Sequence, residues 1–284
     1  MNLGCMKKKI LILGSNGMLG HALQDAFAQF LPTCWDRDEI DIADQQKLEQ
    51  KLLALQPDII INAAAYTNVD KAEEEEELAT LINGIAVGYI AKVAKQLGAV
   101  LVHFSTDYVF DGTKKEGYSE TDQPNPINAY GRSKYRGEQE LQKNHDQYYL
   151  VRTSWLYGPH GKNFVDTILT LAAKQDTIKV VNDQWGKPTY TVDLAAAVRK
   201  LIDEEKPFGI YHITNQAPEG GITWYEFAKK IVELKGLECE VVPCTTKEFP
   251  RPAKRPQYSA FVDSDKVAAI NWDLALKKYL SFRT

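Results

Sequence analysis

The sequence predicts an α/β fold in which a doubly wound parallel sheet is joined to a smaller C-terminal lobe. Short apolar runs alternate with segments of helical periodicity through the first half of the chain, and a glycine-rich turn joins the first run to the first helix. The runs are continuously apolar, which indicates strands that are buried on both faces. Repeated strand–helix units of this kind favour a parallel sheet with helices on each side.

Five strands and four helices are predicted in the first half. The strands are predicted at residues 9–13, 33–35, 58–62, 99–104 and 148–152. The helices are predicted at residues 18–30, 45–55, 78–97 and 130–143. Five consecutive glutamates, residues 73–77, open the third helix, and we expect a solvated face that interacts favourably with the positive end of that helix.

The second half of the chain is less regular. Residues 182–189 form a predicted polar loop, residues 222–234 an amphipathic helix, and residues 243–256 a surface excursion rich in proline and charge. We therefore predict a sheet core at residues 6–152. Residues 153–284 are expected to form mainly a second lobe, interleaved with the last elements of the core.

Composition argues against several classes of protein. The formal net charge of −4 over 284 residues gives no reason to expect nucleic-acid binding. No apolar run approaches the roughly 20 residues that span a bilayer, and the apolar segment near the N-terminus is too short for a signal peptide. We therefore expect a cytoplasmic protein without a membrane or nucleic-acid partner. Residues 1–5 lack periodicity, and Met6 is an alternative start.

The cysteines do not predict a metal site. Cys239 and Cys244 lie near each other in sequence, but no second pair of ligands accompanies them, as the usual zinc spacings require. Cys5 and Cys34 are isolated. We expect all four to be plain thiols, and no metal is predicted.

The glycine-rich turn has the spacing G-x-x-G-x-x-G at Gly14, Gly17 and Gly20. Gly14 permits a tight turn, Gly17 lets the backbone approach a pyrophosphate, and Gly20 allows the helix to pack closely on the strand. The helix N-terminus adds N–H donors and a positive dipole for phosphates. This placement predicts a Rossmann-type dinucleotide site, with turn chemistry alone as the alternative. The site is expected to include Asn16, Met18 and Leu19.

Asp36 and Arg37 follow the second predicted strand, where the adenosine ribose of a dinucleotide is recognised. The aspartate favours the 2′-hydroxyl of NADH, whereas the arginine favours the 2′-phosphate of NADPH. Each exposed charge contributes about 0–1 kcal/mol, which is too little for strict selection because a tenfold preference needs about 1.4 kcal/mol. We predict that NADPH is preferred and that NADH is also accepted.

Two further segments are expected to border the cofactor. Asp41 and Ile42 suit a loop on the adenine side. The third strand is followed by small residues that allow close backbone approach at the carboxyl end of the sheet, although a strand that merely ends in small residues is the alternative. The cofactor residues predicted in this second segment are Ala64, Ala65, Tyr66 and Thr67.

Tyr130 and Lys134 form a Y-x-x-x-K pair at the start of a predicted helix. Residues four apart share one helical face, so the ammonium is expected beside the phenol and the cofactor ribose. A phenol titrates near ~10, and a cation ~4 Å away at an effective dielectric of 20 supplies about 4 kcal/mol, enough to lower that pKa by about three units. The pair predicts a proton donor, and a surface pair is the alternative.

Thr106 lies just beyond the fourth predicted strand, about two dozen residues before Tyr130. A hydroxyl there is placed to bind a reacting carbonyl oxygen. Thr106 is preferred over Ser105 because it lies further into the loop. A cap of a turn or helix is the alternative.

These segments together resemble the extended short-chain dehydrogenase/reductases and, more narrowly, the dTDP-4-dehydrorhamnose reductases. The resemblance covers nearly the whole chain from residue 6, and its narrowest parts are STDYVF, RTSW and NDQWGKPT. The matching stretches are residues 14–20, 62–73, 104–112, 128–134, 152–157, 161–164, 182–189 and 255–259.

The resemblance implies reduction of a nucleotide-sugar ketone by NADPH. It implies that Tyr130 is the general acid, that Lys134 lowers its pKa and binds the nicotinamide ribose, and that Thr106 holds the C4 carbonyl. The substrate contacts that it implies are Asp107, Trp155, Asn163 and Arg255. For Trp155, packing in the core is an equal alternative.

Some features separate this chain from relatives of the same type. Family members described as magnesium-linked dimers carry a glutamate shortly after the third glycine, whereas His21 follows Gly20 here, so we expect a monomer or weak homodimer.

One rival interpretation is a nucleotide-sugar epimerase or dehydratase, although the Thr-Asp-Glu sequence of many dehydratases is absent. The other rival is a regulatory subunit that binds nucleotide without catalysis.

Overall fold

The computed structural model describes residues 8–262 and 270–281. Cys5, the prefix at residues 1–5 and the alternative start at Met6 lie outside the described residues. The strands are β1 (Ile10–Leu13), β2 (Thr33–Trp35), β3 (Ile59–Asn62), β4 (Val100–Thr106), β5 (Tyr148–Thr153), β6 (Leu156–Tyr157), β7 (Thr177–Val181), β8 (Trp185–Gly186), β9 (Thr189–Tyr190), β10 (Gly209–His212), β11 (Ile222–Thr223) and β12 (Glu240–Cys244). The helices are α1 (Met18–Phe27), α2 (Gln45–Leu55), α3 (Glu76–Thr80), α4 (Ala86–Leu97), α5 (Ala129–Asn144), α6 (Phe164–Ala172), α7 (Thr191–Asp203), α8 (Trp224–Lys235) and α9 (Trp272–Ser281).

Six parallel strands form the central sheet in the order β10-β5-β4-β3-β1-β2. Side chains alternate between its faces, as the strand period requires. Ile10 and Ile12 pack with α1 and α7 in one buried cluster, whereas Leu11 and Leu13 pack with α2 and α4 in the other. The predicted α/β fold with a doubly wound parallel sheet is confirmed.

The predicted elements of the first half are all present; β2 and α2 have the predicted bounds, and the ends of the others are shifted. The helix predicted from residue 78 begins at Glu76 and contains a π-helical turn, Leu81–Ile85. Strand β4 continues through Thr106, so the predicted end at residue 104 was too early. Helix α1 passes into a 3₁₀ turn, Ala28–Phe30, rather than continuing as α-helix.

The helical stretch Glu76–Leu97 corrects the expectation that no apolar segment is long enough to span a membrane. Its length and composition meet that criterion, yet 56% of its apolar window is buried inside the protein. Residues of α4 such as Ile90 and Ala94 pack on the sheet. A buried core helix passes the same test, so this stretch is weak evidence for a membrane span.

The second half corrects three predictions. The helix predicted from residue 222 begins at Trp224, because Thr223 is its N-cap in a capping box with Glu226 and pairs with Trp185 in a short antiparallel ladder. The loop at residues 182–189 contains β8 and the start of β9, and the excursion at 243–256 begins inside β12. The elements here that the sequence did not predict are β6, α6, β7, α7, β10, β12 and α9.

The second half also returns to the central sheet. Strand β10 pairs with β5, and Leu194 and Val198 of α7 pack against α1. A separate cluster, built from α6, α8, α9 and β7, forms the core of the second lobe. The division at residue 152 stays a prediction, with β10 and α7 as the elements that interleave the two parts.

Candidate active site

The carboxyl ends of the parallel strands meet at one edge of the sheet. In the register of the sheet, Leu13 of β1 lies beside Asn62 of β3, and Thr106 of β4 lies beside Thr153 of β5. The glycine turn, the loop after β3 and the end of β4 therefore converge at this edge. Ligands of open α/β sheets bind in the crevice at these ends.

The glycine turn is held against the loop after β3. Gly14 has φ +72°, and a Cβ on it would lie 2.5 Å from the backbone nitrogen of Ala64, so a larger residue is excluded. A Cβ on Gly20 would lie 2.2 Å from the carbonyl oxygen of Gly14. Close packing of the turn therefore explains why both Gly14 and Gly20 have to be glycine.

Gly17 has a different surrounding. A Cβ on it would approach only the Gly14 carbonyl oxygen, at 3.3 Å, and Gly17 is the N-cap of α1 without a side chain that caps the helix. Met18 and Leu19 begin the helix directly behind it. Free N–H groups at a helix N-terminus bind anions. These features fit the pyrophosphate of a dinucleotide.

Asp36 faces the glycine turn, whereas Arg37 faces solvent. The Asp36 carboxylate accepts hydrogen bonds from the backbone N–H groups of Asn16, at 2.8 Å, and Arg37, at 2.7 Å. The Arg37 side chain is exposed and has no ion pair within the described ranges 8–262 and 270–281. Asp41 accepts from the Ala43 N–H, and Ile42 is buried in the core beside α2.

The loop at residues 64–67 is tied to α5 through Asn83. The Asn83 amide oxygen accepts from the Tyr66 N–H at 2.8 Å, and its nitrogen donates to the Tyr66 carbonyl at 2.9 Å and to Ser133 Oγ at 2.9 Å. Asn83 lies in the π-helical turn, a feature frequent at functional sites. The sequence analysis did not identify Asn83 as a site residue. The available signal was a single amide side chain within an otherwise apolar helical segment.

The glutamate run lies on a solvated face, as expected, with Glu73, Glu74 and Glu77 exposed, but three of its members also make specific contacts. Glu73 accepts from the Ala129 N–H at the start of α5, Glu75 accepts from the Tyr66 hydroxyl, and Glu76 forms a bidentate pair with Arg132. These contacts join the run to the helix that carries Tyr130 and to the loop after β3.

Lys134 is buried beneath the end of β4. Its ammonium donates to the Phe104 carbonyl at 2.6 Å, and only 3% of the residue is exposed. Burial lowers the pKa of Lys134 to about 8, while the negative charge of Glu138 opposes this. The ammonium is therefore charged at neutral pH, and its bond to the Phe104 carbonyl fixes its position. Because Lys134 is buried, the alternative of a surface pair is excluded.

Tyr130 lies beside Thr106, and its ring packs edge-on against Tyr108. Burial first, and then the charge of Asp107, raise the pKa of Tyr130 above its ordinary value, and the neighbouring Thr106 hydroxyl opposes them. Lys134 is not among the causes, so the expectation that it depresses the Tyr130 pKa is wrong in this structure. Tyr130 carries its proton at neutral pH, as a proton donor must.

Thr106 and Asp107 form a buried polar pair beside Tyr130. Thr106 Oγ1 accepts from the Tyr108 N–H at 3.2 Å and so caps a short 3₁₀ turn, which was the alternative for this residue, and it lies 2.9 Å from Asp107 Oδ1. Asp107 Oδ2 accepts from Ser259 Oγ at 2.6 Å. Burial raises the pKa of Asp107 to about 6, and the hydrogen bonds from Ser259 and Thr106 limit the rise.

Arg255 lies on the far side of Tyr108. Its guanidinium pairs with Asp70 at 2.8 Å and lies 5.9 Å from the centre of the Tyr108 ring. The Tyr108 ring in turn meets the edge of Tyr130 at 5.9 Å between centres. The structure therefore brings Arg255 to the same cluster as Thr106 and Tyr130.

Trp155 and Asn163 belong to the second lobe. Trp155 adopts φ +47°, and its ring stacks on Trp224 at 3.5 Å between centres, which leaves the ring half-buried. Asn163 is the buried N-cap of α6, and its amide nitrogen donates to Gly158 O and Tyr279 Oη. The structure does not bring Asn163 to the Thr106 cluster, and its assignment as a substrate contact stays a prediction.

Glu138 and Arg152 form a buried ion pair that sequence reasoning missed. The two side chains are joined by two hydrogen bonds of 2.9 and 2.6 Å. Glu138 stands four residues after Lys134 on the same face of α5, and that spacing was the available signal. Within the part of the chain that the structure describes, no group of three or more His, Cys, Asp or Glu could hold a metal.

The chain is similar along most of its length to known proteins. A family model described as "RmlD substrate binding domain" matches residues 7–281. The spore coat polysaccharide biosynthesis protein SpsK of Bacillus subtilis is 40% identical over 97% of this chain and 98% of that protein. A dTDP-4-dehydrorhamnose reductase of Burkholderia thailandensis is 38% identical over 88% of this chain and 89% of that protein. The crystal structure of a dTDP-4-dehydrorhamnose reductase from Bacillus anthracis in complex with NADP superposes with a TM-score of 0.93, at 40% identity, covering 98% of this chain and 100% of that chain.

Proposed function

The chain belongs to the family described as the RmlD substrate binding domain, and from this premise we propose that it is a dTDP-4-dehydrorhamnose reductase. The reaction reduces the C4 ketone of dTDP-4-dehydro-L-rhamnose to give dTDP-L-rhamnose. Support comes from the relatives of that name, which match nearly the full chain. The observation that carries the proposal is the protonated Tyr130 beside Thr106 and the buried Lys134.

The proposed cofactor is NADPH, with NADH also accepted. The free N-terminus of α1 behind Gly17 would hold the pyrophosphate, and the loop of Ala64, Ala65, Tyr66 and Thr67 would border the nicotinamide half. When bound, the reduced nicotinamide supplies a hydride. Arg37, exposed and free of ion pairs among the described residues, would meet the 2′-phosphate, whereas Asp36 is already turned towards the glycine loop.

Three side chains would perform the remaining chemistry. Thr106 would hold the C4 carbonyl oxygen of the sugar, and Tyr130 would donate its proton to that oxygen as the carbonyl carbon is reduced. The two events convert the C=O group into a secondary alcohol. Lys134, fixed by the Phe104 carbonyl, would bind the cofactor ribose with its positive charge.

The proposed partner is the nucleotide-sugar substrate alone, with the protein acting in the cytoplasm as a monomer or weak homodimer. Asp107, Trp155 and Arg255 are proposed to contact the sugar or its nucleotide, and Asn163 is retained as a weaker assignment. The rhamnose product would feed a cell-surface polysaccharide, which agrees with the name of the spore coat polysaccharide biosynthesis relative.

The test uses purified protein, dTDP-4-dehydro-L-rhamnose and each reduced cofactor in turn. We expect loss of nicotinamide absorbance in a one-to-one ratio with sugar reduced. Sugar conversion without net cofactor consumption would instead identify an epimerase or dehydratase that retains its NAD. Binding of nucleotide without any conversion would identify a regulatory subunit.

A further inference from the structure

The hydroxyl of Thr106 has one proton, and its position decides what Thr106 is able to do. Thr106 Oγ1 lies 2.9 Å from Asp107 Oδ1, and both residues are buried. An ionised carboxylate only accepts hydrogen bonds. While Asp107 is ionised, the Thr106 proton therefore points at Asp107, and the oxygen offers only lone pairs to a substrate carbonyl.

Protonation of Asp107 reverses this arrangement. Ser259 Oγ donates to Asp107 Oδ2 at 2.6 Å, a much shorter contact than its 3.3 Å to the Trp185 carbonyl. The Ser259 proton therefore stays on the Asp107 side, and the added proton goes to Oδ1, opposite Thr106. Asp107 then donates to Thr106 Oγ1, and the Thr106 proton is released for another acceptor. The same change removes the negative charge that opposes ionisation of Tyr130.

We infer that protonation of Asp107 switches Thr106 from an acceptor to a donor towards the ketone, so that Asp107 is a positioning residue for reduction. The inference rests on the proposed function. It assigns Asp107 a part beyond that of a sugar contact, because its proton sets the direction of the hydrogen bonds that hold the reacting oxygen.

The surroundings of Asp107 allow this titration near neutral pH. Burial raises its pKa to about 6. Tyr108 on its own turn and Tyr130 on α5 face it, both protonated because burial raises the pKa of each. Beyond Tyr108 lies the ion pair of Arg255 and Asp70. The Trp185 segment contributes a carbonyl that binds Ser259, with the buried Lys187 two residues further along.

The experiment measures kcat/KM of the wild type against pH, because this parameter reports groups of the free enzyme. We expect activity to fall as the pH rises through about 6, by about tenfold per pH unit if the ionised form is inactive. A second fall is expected near pH 8, when Lys134 loses its proton.

Two variants separate a positioning role from a structural one. Asp107→Asn keeps the hydrogen-bond pattern of the protonated acid, since its oxygen accepts from Ser259 and its nitrogen donates to Thr106. We expect this variant to lose the fall near pH 6 and to retain the one near pH 8. Ser259→Ala removes a hydrogen bond that holds the Asp107 pKa down, so the first fall should move to higher pH.

A second measurement reports the proton directly. Difference infrared titration of the protein without substrate should show a carboxylic acid band with a midpoint at about pH 6 that Asp107→Asn lacks. Turnover by the wild type without a fall near pH 6, or a fall that Asp107→Asn retains, overturns the inference and leaves the proposed function standing. No turnover at any pH overturns the proposed function and the inference with it.

Discussion

The two halves of the proposed cofactor site differ in how firmly the protein holds them. At the nicotinamide end, Lys134 and Thr106 are buried and hydrogen-bonded within the core. At the adenosine end, Arg37 is exposed and has no ion pair among residues 8–262 and 270–281. Electrostatic interactions are strong where water is excluded and weak where it is present. We therefore expect chemistry to depend steeply on the buried residues and cofactor choice to depend weakly on the exposed ones.

The largest effect is expected from Tyr130→Phe. Removal of the phenol takes away the proton donor, and general acid groups contribute roughly 10²–10⁴ in rate. We expect kcat to fall by that factor while cofactor affinity changes little, as measured by steady-state kinetics and cofactor titration. Turnover near that of the wild type would assign the proton to another group.

The next effect concerns stability at the buried end. Glu138→Gln leaves the Arg152 guanidinium buried without its charged partner, and breaking such a pair costs about 3–5 kcal/mol. Urea unfolding of the variant should show that loss in the free energy of unfolding. Glu76→Gln is the matched control, because its pair with Arg132 is half-exposed on both sides and such pairs contribute about 0–1 kcal/mol. Equal losses in the two variants would contradict the account.

Lys134→Met is expected to affect both turnover and cofactor affinity. Hydrogen bonds to charged groups contribute about 1.5–3 kcal/mol, which corresponds to roughly tenfold to a hundredfold in each quantity. The apolar methionine suits the buried position, so the fold should survive, which thermal unfolding checks. A change in stability alone would mean that Lys134 is structural.

The smallest effect is expected from Arg37→Ala. An exposed charge contributes about 0–1 kcal/mol, so the ratio of kcat/KM with NADPH to that with NADH should fall by less than about tenfold. An unchanged ratio would remove Arg37 from phosphate recognition. A wild-type preference beyond about a thousandfold for either cofactor would contradict dual use.

Sequence patterns predicted the buried sheet better than the second lobe. Strands β1 and β3 are continuous apolar runs, so their burial on both faces is visible in the sequence. Strands β8 and β11 have two residues each, too few for a periodic pattern. Their pairing depends on contacts between distant segments, which no local pattern records.

The same limit applies to the site. Tyr130 and Lys134 were predictable because both stand on one helix at a fixed spacing. Ser259 was not, because it reaches Asp107 across 152 residues of sequence, and neither was Asn83, which meets Ser133 across 50. The Tyr130 pKa was predicted in the wrong direction, since burial and Asp107 outweigh a lysine that is bonded elsewhere.

We propose that Tyr130 serves the chemical step and Arg37 the choice of cofactor. The most direct test measures kcat/KM with both cofactors for the wild type, Tyr130→Phe and Arg37→Ala. We predict that Tyr130→Phe lowers both values by the same large factor and leaves their ratio unchanged, whereas Arg37→Ala changes the ratio and leaves kcat with NADH intact. A Tyr130→Phe variant that alters the ratio, or an Arg37→Ala variant that lowers kcat with NADH, would contradict the separation of chemistry from cofactor choice.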